Sequence, residues 1–154
     1  MKKVSESMTE QQYLIRPTHI NHYGRLFGGQ LLYWIDELAG IVAIRHSGAL
    51  VTTAAIDNLQ FQAPAHEGDM IVLKGQVTYV GRSSMEVRVD TFTESMDGHR
   101  QMINRAYIDM VAINDQGKPI PVPGLELETE EQQAEWHAAA KRKELRKQRR
   151  QEGF

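Results

Sequence analysis

An aspartate inside an apolar segment is the residue whose placement most demands a chemical explanation. Asp36 lies within residues 31–44, the longest apolar-rich stretch of the chain. Burying a carboxylate without a partner is costly, so Asp36 must be paired, protonated or functional. Carboxylates in such surroundings act as general bases or as nucleophiles. The competing interpretation is that Asp36 and its neighbour Glu37 mark the one solvent-exposed stripe of a helix.

Two consecutive glycines, Gly28 and Gly29, precede this segment and form a second candidate. A helix that begins there presents unpaired N–H groups, which could polarise a carbonyl or hold an oxyanion. An ordinary glycine turn into a helix is the alternative. Gly29 and Asp36 would lie about 10 Å apart along one helix, whereas each contact to a reacting atom spans roughly 3 Å. If both serve one site, they come from different subunits of a dimer.

A polar turn with an arginine and two hydroxyls, Gly81-Arg82-Ser83-Ser84, is a third candidate. Such groups can bind a phosphate, although the turn taken by itself favours a solvated hairpin tip. The C-terminal region is also basic, which suits either a solvated helix face or a polyanionic ligand. Nucleic acid is not expected, because the formal net charge is −2 and no aromatic residues are interleaved with the basic ones.

Other common catalytic groups are missing or poorly placed. The chain has no cysteine, which excludes a cysteine nucleophile and disulfides. His19 and His22 are spaced like metal ligands, but Pro17 and Gly24 flank them, so we expect a loop and no metal site. A Gly-x-Ser-x-Gly motif is absent from the sequence, so a serine triad has no support.

The elements that must position these residues follow from hydrophobic periodicity. Residues 28–46 predict a helix that is apolar on all sides and therefore buried, with Gly40 marking a close backbone approach. The following half of the chain is rich in β-branched and aromatic residues. Short turns there imply antiparallel pairing of four long strands, at residues 51–61, 70–80, 84–93 and 101–113. Residues 85–90 alternate between apolar and polar, which predicts one buried and one solvent-exposed face.

The two ends of the chain complete the predicted organisation. Residues 1–12 are expected to be a flexible N-terminus, and residues 13–16 a short strand that begins a domain ending at residue 118. Residues 119–154 comprise a proline-rich segment and a polar helix from 130 to about 150, capped by Thr129 and Gln132. One small sheet covers only one side of the buried helix, so its far side predicts a homodimer.

Composition places the protein in the cytoplasm. The 154 residues suit a single domain, and the N-terminus has no apolar segment of the kind found in signal peptides. The longest apolar stretch is too short to span a bilayer. We therefore expect a cytoplasmic protein with no membrane association.

Several motifs, in order and spacing, resemble the acyl-CoA hydrolase branch of the hotdog thioesterases. The strongest match is Asn-x-x-Gly-x-x-x-Gly-Gly at residues 21–29, followed after seven residues by the aspartate at 36. Weaker matches lie at residues 57–61, 68–69 and 81–85. The resemblance extends from about residue 13 to the start of the C-terminal helix. It implies an α+β hotdog fold, in which a curved antiparallel sheet wraps a long central helix.

The resemblance also implies a site and an assembly. Asp36 would be the catalytic residue, with Asn21 contributed across the dimer interface and the amide of Gly28 or Gly29 polarising the thioester carbonyl. Asn58 and Phe61 would lie near the pantetheine arm of coenzyme A (CoA), and Gly81, Arg82, Ser83 and Ser84 near its phosphates. Dimers of this family often assemble into hexamers as trimers of dimers.

The implied activity is hydrolysis of fatty acyl-CoA to a free acid and CoA, a step of fatty acid metabolism. Asp36 would act as general base or as nucleophile. No metal or redox cofactor is expected, since a thioester is already an activated acyl group. CoA is bound as part of the substrate. One alternative is a hotdog dehydratase that uses a histidine such as His19 or His22. The other is a non-catalytic acyl-CoA sensor, although such sensors usually carry a fused DNA-binding domain.

Overall fold

The computed structural model describes residues 1–57 and 59–154, so the prediction for Asn58 lies outside the described residues. Short 3-10 turns cover Val4–Glu6 and Pro17–His19. The two α-helices are Gly28–Ser47 (α1) and Glu130–Glu152 (α2). The strands are Lys2–Lys3 (β1), Thr9–Leu14 (β2), Leu50–Asp57 (β3), Met70–Val80 (β4), Ser84–Glu94 (β5), Arg100–Ile113 (β6) and Leu125–Glu126 (β7).

Five strands form one antiparallel sheet in the order β2-β4-β5-β6-β3. Register shifts interrupt the pairing in three places, between positions 53 and 55, 77 and 79, and 91 and 92. Such bulges bend strands, and the sheet curls around α1. The predicted α+β hotdog architecture is therefore confirmed. The predicted strand at 51–61 ends earlier, at Asp57, which leaves Phe61 in the loop that follows.

Helix α1 is covered on one side and open on the other. Its buried face carries the residues that pack on the sheet: Leu31, Trp34, Ile35, Leu38, Ala39, Val42, Ala43 and His46. Tyr33 and Ile44 are 62% and 47% exposed in the single chain. The adjoining edge strand β3 is also largely exposed. Burial on all sides is therefore not achieved within one chain.

Two local expectations about the helix and the N-terminus were wrong. An added Cβ at Gly40 would meet only the end of the Met110 side chain, at 3.9 Å, so no close approach within the chain requires glycine there. The close approach occurs at Gly75 of β4, where a Cβ would lie 3.0 Å from Val42. Residues 1–12 are also not a free tail, because β1 pairs with β7 and β2 pairs with β4.

Helix α2 packs on the outer face of the sheet, and this overturns the predicted exposure of residues 85–90. The charged residues Glu86, Arg88 and Asp90 are only 2%, 8% and 7% exposed. They are buried because α2 covers them and supplies opposite charges: Arg142 forms two hydrogen bonds to Glu86, and Glu135 accepts one from Arg88. Periodicity identified the strand, but a partner element from the end of the chain determined its burial.

The start of α2 has the predicted cap. The hydroxyl of Thr129 accepts a hydrogen bond from the N–H of Gln132, and the Gln132 side chain accepts one from the N–H of Glu128. These bonds satisfy backbone donors at and just before the first turn. Among the described residues, no helix is long and apolar enough to cross a membrane.

Candidate active site

Asp36 lies at the open side of α1, where the helix meets the edge strand β3. The hydroxyl of Thr53 donates a hydrogen bond of 2.6 Å to Oδ1 of Asp36. The same hydroxyl lies 3.5 Å from the sulfur of Met110 on β6. Asp36 is half-buried, so it is neither a core carboxylate nor a freely solvated one. One of its oxygens is fixed by Thr53, which leaves the other available for a water molecule or a substrate.

Asn21 is held in a tight loop before α1 by its own side chain. Its Oδ1 accepts hydrogen bonds from the N–H groups of Tyr23 and Arg25, at 2.9 and 3.2 Å. The backbone N–H of Asn21 donates to the carbonyl of Arg25. Because N–H groups can only donate, this network assigns Oδ1 to the loop and turns Nδ2 into the group available to a ligand. Asn21 can therefore act as a hydrogen-bond donor.

The loop that carries Asn21 borders a cavity of about 360 Å³ at the N-terminus of α1. Gly28 and Phe61 line the same cavity, so the structure brings three of the predicted site residues together. The Phe61 ring lies 3.5 Å from where a Cβ of Gly28 would be. A Cβ at Gly29 would collide with the Phe27 ring at 2.6 Å. Glycine at both positions thus lets aromatic rings pack against the helix N-terminus.

The helix N-terminus also presents hydrogen-bond donors. The carbonyl of Phe27 accepts from the N–H groups of Gln30 and Leu31, which begin the helical ladder. The N–H groups of Gly28 and Gly29 precede these and have no acceptor within the helix geometry. The positive end of the helix dipole adds to their field. This arrangement can stabilise negative charge on a carbonyl oxygen.

The Asn21 cavity and the Asp36–Thr53 pair are separate places within one chain. Both are positioned by α1, and the seven residues between Gly29 and Asp36 correspond to about 10 Å of helix. Asp36 does not line the cavity that Asn21, Gly28 and Phe61 share. The two places are therefore separate within one chain, and α1 fixes the distance between them.

The fourth predicted element, the 81–84 turn (Gly81-Arg82-Ser83-Ser84), lies at the far end of the sheet from the cavity. Ser84 pairs with Val111 of β6, whereas Gln62 of the cavity loop bonds to Ile103 of the same strand. Eight residues of strand span about 26 Å. Within one chain the turn is therefore remote from Asn21, Gly28 and Phe61.

The histidines near the site have local structural partners. Nδ1 of His19 accepts a hydrogen bond from the N–H of Arg16, and its ring packs edge-on against Trp34. The carbonyl of His19 also accepts from the N–H of Phe27, which ties the Asn21 loop to the start of α1. His22 packs against Tyr23. In the part of the chain that the structure describes, no group of three or more His, Asp or Glu side chains could hold a metal ion.

Comparison with known proteins identifies the family. An uncharacterized acyl-CoA thioester hydrolase of Bacillus subtilis is 37% identical over 145 residues, which cover 94% of this chain and 84% of that protein. The chain belongs to the acyl-CoA thioester hydrolase family. A family model described as the thioesterase superfamily matches residues 23–98, the segment from the Asn21 loop to the β5–β6 turn. The rat cytosolic acyl coenzyme A thioester hydrolase is 33% identical over 132 residues, but this chain spans only 35% of its length.

Solved structures of the hydrolase family share the whole architecture. The acyl-CoA hydrolase of Staphylococcus aureus, solved with butyryl-CoA, CoA and CoA disulfide, is 37% identical, with a TM-score of 0.93 over 99% of this chain and 93% of that one. An apo hexameric acyl-CoA thioesterase is 40% identical, with a TM-score of 0.91 over 97% of both chains. The Staphylococcus hydrolase has also been solved with alanine in place of one asparagine, one aspartate or one threonine.

Thr53, the hydrogen-bond partner of Asp36, was not among the residues predicted from the sequence. It is one of two adjacent threonines in a strand rich in β-formers, where threonine is ordinary. Only the pairing of β3 with β6 and the packing of α1 beside it bring the hydroxyl to Asp36. The only signal in the sequence was a threonine in a strand that could pack beside the candidate aspartate. Many threonines in strands meet that description, so the signal is not specific.

Proposed function

We propose that this hydrolase converts fatty acyl-CoA to a free acid and CoA, with Asp36 as the catalytic carboxylate. The observation that carries the proposal is the Asp36–Thr53 hydrogen bond, which fixes one carboxylate oxygen and leaves the other open. The free oxygen either takes a proton from an attacking water or itself attacks the thioester carbon. When water attacks, a C–O bond forms, the C–S bond breaks, and CoA leaves as a thiol or thiolate, which gives the free acid directly. When Asp36 attacks, the same bond changes give an acyl-aspartyl anhydride, and water then hydrolyses that anhydride to the free acid and regenerates the carboxylate.

The complete site forms between two copies of the chain. Asp36 and Thr53 of one copy would face Asn21 and Gly28 of the other, with the thioester between them. Two observations support this arrangement: these two half-sites are held apart on α1, and the open side of α1 next to β3 leaves apolar side chains such as Tyr33 exposed. A homodimer would cover this surface and join the half-sites, which makes the dimer the active unit.

The second half-site would polarise the thioester carbonyl. Nδ2 of Asn21 and the N–H of Gly28 or Gly29 are donors for which the described residues supply no acceptor. Pointed at the carbonyl oxygen, they would stabilise the negative charge that develops there as the carbon is attacked. Phe61, which lines the same cavity, would pack against the apolar part of the pantetheine arm.

The spacing of residues replaced in the Staphylococcus hydrolase supports these assignments. In that protein the asparagine precedes the aspartate by 15 positions, and the threonine follows the aspartate by 17. The same intervals separate Asn21 from Asp36 and Asp36 from Thr53. The three residues assigned here are thus spaced like those replaced in a relative of nearly the same fold.

The remaining expectations follow from the same chemistry. A thioester is already an activated acyl group, so we propose that the reaction uses no metal or redox cofactor. We further propose assembly of dimers into a hexamer, because solved relatives include hexameric thioesterases. A cytoplasmic location and a role in fatty acid metabolism would suit a substrate made inside the cell.

The test is thiol release from acyl-CoAs of short to long chain, compared between wild type, Asp36→Ala and Asp36→Asn. We expect release by the wild type and none by either variant, because neither side chain can accept a proton or attack a thioester. Glu37→Gln is the matched control, since it neutralises the adjacent exposed carboxylate and should retain activity. No release by the wild type on any acyl-CoA would overturn the proposal, and so would full activity in Asp36→Ala.

A further inference from the structure

The C-terminal helix α2 places a lysine against the 81–84 turn. A Cβ added to Gly81 would lie 2.6 Å from Oγ of Ser84 and 2.9 Å from Nζ of Lys143. The hydroxyl and the ammonium therefore converge over the α-carbon of Gly81, in space that any other residue would fill. Lys143 belongs to α2, more than fifty positions later in the chain than the turn it approaches.

The residues around Lys143 fix the segment of α2 that carries it. Its ammonium lies 5.5 Å from the ring of Tyr79, and Trp136, two helical turns earlier, packs against the same ring at 4.3 Å. The preceding residue, Arg142, is anchored by two hydrogen bonds to Glu86. The orientation of the helix is thus fixed on both sides of Lys143, which places its flexible side chain beside the turn.

Three of the backbone carbonyls of the turn are already engaged in hydrogen bonds. The carbonyls of Arg82, Ser83 and Ser84 already accept hydrogen bonds from Val122, Ala112 and Gly81. Within residues 1–57 and 59–154, neither the Arg82 guanidinium nor the Lys143 ammonium forms an ion pair with a carboxylate. Two cations and a hydroxyl therefore surround the space over the α-carbon of Gly81. This cradle, formed by Gly81, Arg82, Ser84 and Lys143, suits a phosphate group.

The cradle lies near the Asp36 half-site across the sheet. Thr53 pairs with Met110 of β6, and Met110 pairs with Met85 of β5, the residue after Ser84. Two strand spacings correspond to about 10 Å. A long substrate that reacts at Asp36 can therefore extend toward this rim of the sheet.

We propose that Lys143 binds a phosphate of the CoA nucleotide, which makes α2 part of the substrate-binding surface. This inference rests on the proposed hydrolase function. The ammonium contributes charge and a hydrogen bond, Ser84 contributes its hydroxyl, and Gly81 leaves the space in which the phosphate oxygens fit. Lys143 is a binding residue in this scheme and takes no part in the chemistry at the thioester.

The experiment compares two substrates that share an acyl group, acyl-CoA and acyl-pantetheine, of which only the first carries phosphates. For Lys143→Ala we expect the ratio of kcat/KM for acyl-CoA to that for acyl-pantetheine to fall about five- to tenfold, as for loss of one charge-assisted hydrogen bond. Lys143→Arg should retain most of the ratio. Lys147→Ala is the matched control, since it removes the same charge from an exposed position one turn further along α2.

A second variant tests the cradle without removing charge. Gly81→Ala would push aside the ends of two flexible side chains, so it should fold normally while displacing Ser84 Oγ and Lys143 Nζ. We expect the same fall in the substrate ratio. If Lys143→Ala and Gly81→Ala both match Lys147→Ala, the inference is wrong. Such a result would leave the hydrolase proposal intact, because that proposal is tested separately by thiol release from acyl-CoA in the wild type and in Asp36→Ala.

Discussion

The hydroxyl of Thr53 donates a 2.6 Å hydrogen bond to Oδ1 of Asp36, linking strand β3 to helix α1 at the open side of the fold. A side-chain hydroxyl has one proton, so this bond commits Thr53 as a donor. The carboxylate is thereby oriented before any substrate binds. Pre-orientation of this kind lowers the cost of reaching the reacting geometry.

Removing the Thr53 hydroxyl should slow hydrolysis without unfolding the protein. Thr53→Val keeps the shape and the β-branched character of the side chain, and its position is exposed in the single chain. Loss of a hydrogen bond to a charged group corresponds to about 1.5–3 kcal/mol, so we expect kcat to fall roughly 10- to 100-fold. Thr53→Ser, which restores the donor, should recover most of the rate. Equal rates for the two variants in a thiol-release assay would show that the hydroxyl has no such role.

The donor role of Asn21 can be separated from its role in the loop. Asn21→Asp keeps an oxygen to accept from the N–H groups of Tyr23 and Arg25, so the loop should remain folded. The Nδ2 donor is lost, and we expect kcat to fall about 100-fold, as for other carbonyl-polarising donors. The thermal midpoint, measured in parallel, should change little. A large loss of stability together with activity would instead indicate that Asn21 acts only through the loop.

Sequence reasoning succeeded where the signal was local. The helix at α1 and the strands β4 to β6 follow from periodicity, and the cap of α2 from Thr129 and Gln132. These features depend on residues a few positions apart, and local interactions decide them. The motif at residues 21–29 and 36 also identified the family, because its order and spacing are specific.

The same reasoning failed where distant segments meet. The burial of Glu86 and Arg88 depends on α2, which arrives from the end of the chain and neutralises their charge. The N-terminal residues form strands because β1 pairs with β7 and β2 pairs with β4. Thr53 and Lys143 could not be predicted for the same reason. Each contacts its partner, Asp36 or the 81–84 turn, only because the tertiary fold brings distant segments together.

The protein should lose stability in mild acid through His46. Burial lowers the pKa of His46, although its bond to the Pro123 carbonyl acts in the opposite direction. That bond, of 2.8 Å from Nε2, places the proton on Nε2, and the buried Nδ1 has no hydrogen-bond partner among the described residues. Protonation would put an unsatisfied charged donor in the core.

The direction of the pH effect on stability follows from comparing proton uptake by the folded and the unfolded chain. In the unfolded chain the histidine takes up a proton near pH 6.5, whereas in the folded protein it does so only at lower pH. The unfolded state therefore binds more protons as pH falls from 6.5 toward the folded pKa, and stability decreases over that window. His46→Gln can still donate to Pro123 but does not titrate. Urea midpoints at pH 7.5 and 5.5 should converge in this variant, while an unchanged pH dependence would exclude His46 as the cause.

Breaking the ion pair between helix α2 and Glu86 should destabilise the protein. Arg142 is hydrogen-bonded to Glu86 and Glu135 and stacks 3.6 Å from the centre of the Tyr107 ring. Arg142→Met keeps the apolar stem but leaves Glu86 buried with its main cationic partner removed, which should destabilise the protein by about 3 kcal/mol. Adding Glu86→Gln should recover much of that loss, because the unpaired charge is then gone. Urea denaturation of the single and double variants measures both effects.

A mixing experiment tests whether the active site is shared between subunits. Asp36→Ala lacks one half-site and Asn21→Asp lacks the other, so each protein alone should be nearly inactive. If the two half-sites come from different chains, a hybrid dimer contains one site with both residues intact and one with neither. Random re-association of equal amounts then restores about a quarter of wild-type activity. If Asp36 and Asn21 of the same chain served one site, every site in the mixture would be damaged and no activity would return. Asp36→Ala mixed with Asp36→Asn is the control, since no combination of those chains restores an intact Asp36.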